Sequence, residues 1–308
     1  MDLHWERSYP YYDLKIDELA HIFSYLQTSL IRDIRLIEIG CRNTNYSIST
    51  GKSTFLVRIT SQDSAMLVNE LKLNSELRKI IKLPRILEYH KLEGRYFILY
   101  EFIAGENFSN FLNHTKIKAN HIIQIAETLA KIHSFKTSNQ IEKLELPPFE
   151  NWYNFFLSNE KTANLLGNKR ISFIKNFINN NHDLLKDIKQ YTSFIHSDFR
   201  PANMIINPQA DIYIVDWEYC TLGHSLADIG QFFRYQECFS PQDRLIFEEN
   251  YNYRAKTKLA HNWYLLARLR DLVNPLQLLG SVEKKLQQEK DLMQVIDEII
   301  EDLSAINM

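Results

Sequence analysis

The sequence is poor in the residues that cross-link, interrupt or charge-bias a chain. Its three cysteines, Cys41, Cys220 and Cys238, are an odd number, widely spaced, with no CxxC pair. That excludes a disulfide framework and a cysteine-rich zinc site, and predicts a reducing compartment. Eight Gly and eight Pro in 308 residues are too few for a linker-rich or fibrous chain. An excess of one charge is missing too, since 36 Lys+Arg against 38 Asp+Glu leave a net charge of -2. A protein that coats nucleic acid or an anionic membrane needs a basic surplus, so neither is the expected partner. No apolar run approaches the roughly 18 uninterrupted residues of a membrane span, and the opening MDLHWERSYPYYD lacks the apolar core of a signal peptide. Together these absences predict a cytoplasmic globular protein.

What is present predicts a folded chain of two unequal parts. Hydrophobic residues make up 45% and charged residues 24%, ordinary for a globular protein, and 308 residues exceed what one compact core usually holds. Apolar residues from Leu14 to Leu30 recur at helical spacing. IRLIEI (34–39), NYSIST (45–50) and STFLVRI (53–59) then predict three antiparallel strands with tight connections. A helix over 63–79 and a hairpin of 86–90 with 95–102, turning at Glu93-Gly94, complete this β-rich part. Beyond Gly105 the pattern is helical. An amphipathic helix spans 119–135, and an aromatic cluster (Phe149, Trp152, Tyr153, Phe155, Phe156) follows Pro147-Pro148 in the helical stretch 147–190. Two short strands lie at 204–206 and 212–217, and 225 to the end reads as helix. The fold class is α+β, with lobes at 1–100 and 107–308 and a boundary at 101–106.

The chemistry concentrates in His196-Ser197-Asp198-Phe199-Arg200-Pro201-Ala202-Asn203 and in Ile212-Tyr213-Ile214-Val215-Asp216-Trp217-Glu218. The first run is H-x-D-x-x-x-x-N; the second ends a strand on an Asp thirteen residues after the Asn. Phosphoryl transfer has a physical use for that set. One carboxylate orients the acceptor hydroxyl and takes its proton, while an amide and a second carboxylate hold magnesium against the triphosphate. The plain alternative makes Asp198 and Asn203 turn formers and Asp216 a strand end.

These motifs resemble those of the aminoglycoside phosphotransferase and choline kinase superfamily, which has the bilobal protein-kinase-like fold. The resemblance runs in order along most of the chain, and it implies ATP or GTP with Mg2+ as cofactors and a small-molecule hydroxyl as acceptor. It implies Asp198 as the catalytic carboxylate, with Arg200 either neutralising charge near the transferred phosphate or making a plain salt bridge, and Asn203 and Asp216 as metal ligands. It places Arg58 of Phe55-Leu56-Val57-Arg58-Ile59 against the α- and β-phosphates, with Glu70 pairing that cation. Glu101 and Ile103, in Tyr100-Glu101-Phe102-Ile103-Ala104-Gly105, would present hinge backbone to adenine, with Leu56 and Ile205 enclosing the base. His196 and Asp228 would brace the catalytic loop, and Ile132-His133-Ser134 would end the helix beneath it.

Some features depart from the pattern or admit two readings. Gly40-Cys41-Arg42-Asn43-Thr44-Asn45-Tyr46 keeps one glycine, so no G-x-G-x-x-G loop exists. Asp-Trp-Glu replaces Asp-Phe-Gly, and the chain passes from Asp216 to Asp228 with no room for the activation segment of a protein kinase. Arg58 stands where Lys is common, but guanidinium keeps its charge and can fork onto two phosphate oxygens. Glu218 supports the metal, accepts from a substrate, or is a solvated strand-end acid. The aromatics at 149–156 are core or, for a cationic substrate, a cage. Glu237, Asp243, Glu248, Glu249 and Asp271 are candidates to line a polycationic-acceptor pocket. The expected activity is that of an aminoglycoside phosphotransferase-like small-molecule kinase. The alternatives are a choline/ethanolamine-type kinase, or a catalytically silent nucleotide-binding relative. The acceptor and the oligomeric state are left open.

Overall fold

The computed structural model describes residues 5–26, 30–60, 67–142, 149–281, 283 and 285–305. Its first part is a five-stranded antiparallel sheet. The strands are β1 (Ile31–Ile37), β2 (Thr44–Thr50), β3 (Thr54–Ile59), β4 (Ile86–Leu92) and β5 (Arg95–Glu101), in the order β1-β2-β3-β5-β4. Alternation sorts the side chains between two faces. Val57, Ile59, Phe97 and Leu99 pack with Leu19 of helix α1 (Ile16–Ile22) and with Phe23 just after it. Leu56, Tyr96, Ile98 and Tyr100 pack on the other side against Leu67, which opens helix α2 (Leu67–Leu77). The β4–β5 turn is Glu93-Gly94 with φ of 50° and 76°, the double left-handed geometry that matches hairpin twist. Helix α1 is shorter than its apolar spacing predicts: Leu14 lies before it, the cap residues Lys15 and Phe23 are both extended, and 27–29 lie outside the described residues. Residues 61–66, the predicted start of the second helix, also lie outside them, as does Pro147-Pro148.

The chain leaves the five-stranded sheet at Glu101 and re-enters regular structure at β6 (Glu106–Asn107), across the segment expected as the boundary. Helices α3 (Phe108–His114), α4 (Ala119–Ser134), α5 (Phe149–Leu157), α6 (Glu160–Asn180, kinked at Gly167) and α7 (His182–Lys189) follow. Next come β7 (Thr192–Ile195), β8 (Met204–Ile206), β9 (Ile212–Ile214) and β10 (Thr221–His224). The remainder is α8 (Ser225–Phe232), α9 (Pro241–Arg254), α10 (Trp263–Asp271), α11 (Val273–Leu279) and α12 (Leu286–Ser304). β6-β8-β9 form one small sheet, and β7 pairs with β10 in another. The sequence pattern did not separate β7 and β10 from their surroundings, because four-residue strands carry almost no periodicity. One large core joins α4, α5, α8, α10, α11 and α12, and it takes Phe149 and Tyr153 of the aromatic cluster as buried members.

Two glycines permit close approaches that position the site. A Cβ on Gly105 would lie 2.4 Å from the Ile206 carbonyl oxygen, so the segment leaving β5 runs directly against β8. A Cβ on Gly230 would lie 2.3 Å from the Ala267 carbonyl oxygen, so α8 sits backbone-close on α10. The residues that interrupt these two contacts would have to move main chain rather than a flexible side chain.

Candidate active site

The loop after β7 is held by buried hydrogen bonds rather than by regular structure. Asp228, fully buried in the first turn of α8, accepts from the His196 N–H through Oδ2 and from the Ser197 N–H through Oδ1, both at 2.8 Å. His133, from α4, donates from Nε2 to the same Oδ2 at 3.2 Å, and its Nδ1 meets the Tyr251 hydroxyl at 2.8 Å. His196 has both ring nitrogens engaged. Nδ1 accepts from the Asp198 N–H at 3.3 Å, so Nε2 carries the proton and donates to the Val215 carbonyl at 3.0 Å. An imidazole so used, and fully buried, has no free nitrogen for proton transfer. It tethers the loop holding Asp198 to the loop holding Asp216. Gln231, one turn beyond Asp228, accepts from the Phe199 N–H at 2.9 Å and donates to the Ser197 carbonyl at 3.0 Å. Gln231 was not anticipated from the sequence; its spacing three residues after Asp228 on one helix was the available signal.

This bracing supports two non-glycine residues with left-handed backbones, Ser197 (φ 75°) and Asp216 (φ 66°). Such conformations persist where their surroundings over-determine them. The Asp216 expectation needs one correction: β9 stops at Ile214, so Asp216 lies in the following loop and does not end a strand. The left-handed turn at Asp216 is what ends the extended run.

Asp198 points into a fork. Arg200 donates to its Oδ1 from Nε at 2.6 Å and to Oδ2 from Nη2 at 2.8 Å, while Asn203 Nδ2 donates to Oδ2 at 2.7 Å and to the Asp198 carbonyl at 2.9 Å. Burial acts to raise the Asp198 carboxyl, but the Arg200 guanidinium, with help from the Asn203 amide, reverses this and holds it below the usual range. Asp198 is therefore ionised at neutral pH, and Oδ1, which takes one donor among the described residues, keeps lone-pair capacity for another hydroxyl. The Asn203 carbonyl oxygen Oδ1 accepts no hydrogen bond among the described residues, and the Val215 N–H binds the Asn203 main-chain oxygen at 3.0 Å.

From the sheet side, Arg58 reaches across to Asp216 Oδ1 at 3.0 Å, and its Nε meets Asn45 Oδ1 at 3.4 Å. Glu70 is more distant, 3.9 Å from Arg58, so the expected Arg58–Glu70 pair is looser than the Arg58–Asp216 contact. Glu70 Oε1 instead accepts from the Tyr100 hydroxyl at 2.8 Å, and its buried Oε2 has no hydrogen-bond partner among the described residues. Burial raises the Glu70 carboxyl, with Arg58 working against it. Glu218 is buried, not a solvated acid: its Oε2 accepts from Asn43 Nδ2 at 3.0 Å across the cleft. Burial and then the nearby Asp216 charge push its carboxyl up to about 7. Asn43, in the glycine-poor loop, thus contributes a contact that sequence reasoning left unassigned.

Leu56, Ile103 and Ile205 are half-buried, Leu56 on the sheet face opposite α1, Ile103 beyond β5 and Ile205 in the middle of β8. The Glu101 side chain turns away to the Arg85 N–H (2.9 Å) and Arg78 (3.6 Å), and its backbone N–H binds the Arg85 carbonyl at 2.9 Å, so neither its carboxylate nor its amide is turned to a ligand. The proposed polycation pocket does not form as a unit. Asp271 is buried in a fork with Arg234 (2.6 Å), Asp243 caps α9 through Ser240, and Glu248 accepts from Trp263 Nε1 (3.0 Å). Glu237 and Glu249 are exposed. The aromatic cluster already receives a cation from the chain itself: the Arg270 guanidinium lies 5.4 Å from the Phe149 ring centre and 4.9 Å from that of Trp152.

A model of the phosphotransferase enzyme family (APH) matches residues 33–261, a span that contains Arg58, Glu70, Asp198, Asn203, Asp216 and Asp228. The chain belongs to that family. No sequence match was found among curated proteins. Among solved structures, the chain is similar to spectinomycin phosphotransferase APH(9)-Ia in complex with ADP and spectinomycin. The TM-score is 0.68 at 16% identity, covering 96% of this chain and 99% of that one. It is equally similar to a microcompartment-associated aminopropanol kinase, at TM-score 0.68 and 15% identity over 92% and 94% of the two chains. The choline kinase LicA from Streptococcus pneumoniae gives a TM-score of 0.63 at 19% identity over 93% and 97%. The phosphotransferase thus has the protein-kinase-like fold, and no helix among its described residues is long and apolar enough to cross a membrane.

Proposed function

We propose that this phosphotransferase moves the γ-phosphoryl group of ATP to a hydroxyl of a small molecule, with magnesium as the metal. One observation carries the reading: Arg58 on β3 binds Asp216, and the Val215 N–H beside Asp216 binds the Asn203 carbonyl of the 198–203 loop, so elements far apart in sequence meet at one place. The nucleotide would lie between the sheet (1–100) and the helical part (107–308), with adenine against the 101–106 backbone and enclosed by Leu56 and Ile205.

Magnesium fits the donor set. Asn203 Oδ1 and Asp216 Oδ2 are hard oxygens to which no hydrogen bond is donated among the described residues. Magnesium is commonly held by one or two protein oxygens plus phosphates and water. When bound it would neutralise charge on the phosphate oxygens. The protein's own work is positioning. Arg58 is always charged, and its guanidinium would turn from Asp216 toward phosphate oxygens. Asp198, held by Arg200 and Asn203, would receive the acceptor hydroxyl on Oδ1 and take its proton late. Arg200, already at Asp198, would balance charge on the transferred group. The buried network from Tyr251 through His133 to Asp228 keeps this loop from relaxing.

The three neighbours act on, or are bound with, acceptors as different as spectinomycin, an aminopropanol and choline, at nearly equal similarity. The reading therefore commits to a small-molecule hydroxyl acceptor and to no single compound. A silent nucleotide-binding relative is not favoured, because Arg58, Glu70, Asp198, Asn203 and Asp216 are all present around one cleft. Asp198→Ala tests the assignment. Turnover should fall by about three orders of magnitude or more while MgATP affinity stays within about threefold. Loss of nucleotide affinity with retained turnover would overturn the role given to Asp198.

A further inference from the structure

The segment from Trp5 to Ser8 touches both parts of the molecule and the catalytic loop, and the proposed reaction assigns it no role. Tyr9 to Leu14 lies on the sheet side: the Tyr12 N–H donates to Thr44 Oγ1 at 2.9 Å, and the Tyr12 carbonyl accepts from the Tyr46 hydroxyl at 2.8 Å. Just before it, the chain crosses to the helical part. The indole of Trp5 packs against the large helical core, and its Nε1–H donates to Asp291 Oδ2 of α12 at 3.0 Å. Its ring lies 5.5 Å from the Arg200 guanidinium carbon, on the same side chain that forks onto Asp198.

The two neighbouring residues hold the crossing at both ends. Glu6 caps α12 from 281 residues away: its carboxylate accepts from the Gln287 N–H at 2.7 Å and the Gln288 N–H at 3.2 Å. Helix N-termini leave such amides without intrahelical partners, and the α12 cap position, Lys285, supplies no side-chain bond of its own. The Gln287 amide holds the Glu6 carboxyl below the usual range. Lys285 in turn donates to Ser8 Oγ. Arg7 faces the other way. Its Nη1 donates to the Gly40 carbonyl at 2.5 Å, and Nη2 donates to the carbonyls of Asn43 at 3.1 Å and Arg42 at 3.4 Å. The Ser8 N–H binds the Cys41 carbonyl at 2.8 Å. The glycine-poor loop over the cleft is therefore ordered by a guanidinium from this segment, where a glycine-rich loop would rely on its own backbone.

We propose that Trp5–Ser8 is an interlobe latch that couples the 40–43 loop to the first turn of α12, and that Trp5 is a positioning residue acting on the Asp198 site through Arg200. An Arg side chain has large rotamer freedom, and a fork is effective only when it is held. The indole face restricts the guanidinium on one side while the carboxylate restricts it on its edge. The kinetic part of this inference rests on the phosphotransferase reading; the coupling part does not.

The test therefore has two arms on the full chain. Amide hydrogen exchange reads the coupling without turnover. Arg7→Ala should raise exchange at Gln287 and Gln288, which Arg7 does not touch, and Glu6→Ala should raise it across 41–43, which Glu6 does not touch. The His196 and Ser197 amides held by Asp228 should stay protected in both variants. If each substitution loosens only its own contacts, there is no latch. The second arm is MgATP turnover with an acceptor identified by its Asp198 dependence. Trp5→Ala should lower kcat about tenfold, with nucleotide KM within about twofold, and Trp5→Phe should stay near the parent. In an Arg200→Ala background, Trp5→Ala should add nothing. Effects that multiply, or that fall on KM alone, overturn the action through Arg200. If no acceptor gives turnover but the exchange effects are reciprocal, the latch stands and the proposed reaction fails.

Discussion

Replacing Asp228 by Asn keeps its size and removes one acceptor oxygen and the charge. The carboxylate now serves two buried N–H groups at 2.8 Å and the His133 ring at 3.2 Å. The amide of Asn has one oxygen, so it can retain one of the two backbone bonds while its NH2 faces the other donor. An orphaned buried amide costs about 1–3 kcal/mol, and a retained bond to a neutral acceptor is weaker by about 1 kcal/mol. The expected loss is about 3 kcal/mol, or a Tm lower by roughly 6–12 °C for a domain of about 200 residues. Asp297→Asn is the matched control, because its ion pair with Arg170 is part-exposed and contributes under about 1 kcal/mol. Thermal unfolding followed by calorimetry reads both variants. Turnover should also drop, by about a hundredfold, because Asp198 is two residues from the released His196 amide. An Asp228→Asn protein as stable as Asp297→Asn, with parental turnover, would refute the claim that buried backbone bonding sets this loop.

Other consequences follow from single contacts. Gly105→Ala places a Cβ against the Ile206 carbonyl and Ile205 Cγ2, so it should raise the KM for MgATP and cost about 1–3 kcal/mol in chemical unfolding; an unchanged KM would separate that crossing from the nucleotide. Glu218 titrates near 7 in the folded protein against an ordinary 4.5, so the folded chain binds the extra proton between those values. Stability in metal-free buffer should accordingly be highest below about pH 4.5 for this group's contribution and fall as pH rises through 7. Glu218→Gln should flatten that slope and gain about 2–3 kcal/mol at pH 8. A slope unchanged in Glu218→Gln would assign the titration elsewhere.

The parts legible in the sequence were those with strong local signals. The β2–β3 and β4–β5 hairpins follow from β-branched runs and from Glu93-Gly94, and α4 follows from its apolar spacing. The 196–203 motif and Asp216 stood out in the sequence because the proposed phosphoryl transfer has a use for those residue types at that spacing. Their bracing was less legible, since it is made by residues remote in sequence. His133, Gln231 and Tyr251 meet the loop only after α4, α8 and α9 have packed. Asp271 and Asp243 looked available for a polycation because composition cannot show that Arg234 and Ser240 already engage them. The short α1 shows the same limit from the other side: an apolar period extended over 14–30, but the structure ends the helix at Ile22. Trp5 carried no sequence signal at all, because its meaning depends on α12, more than 280 residues away.

The central claim is tested most directly by ADP release from MgATP across aminoglycosides, spectinomycin, macrolides, choline, ethanolamine, aminopropanol and sugars, with Asp198→Ala measured beside the parent. The account predicts that at least one hydroxyl compound stimulates ADP release, acquires the phosphoryl group, and loses both effects in Asp198→Ala. Stimulated release that survives Asp198→Ala, or tight MgATP binding with no transfer to any hydroxyl, would contradict it.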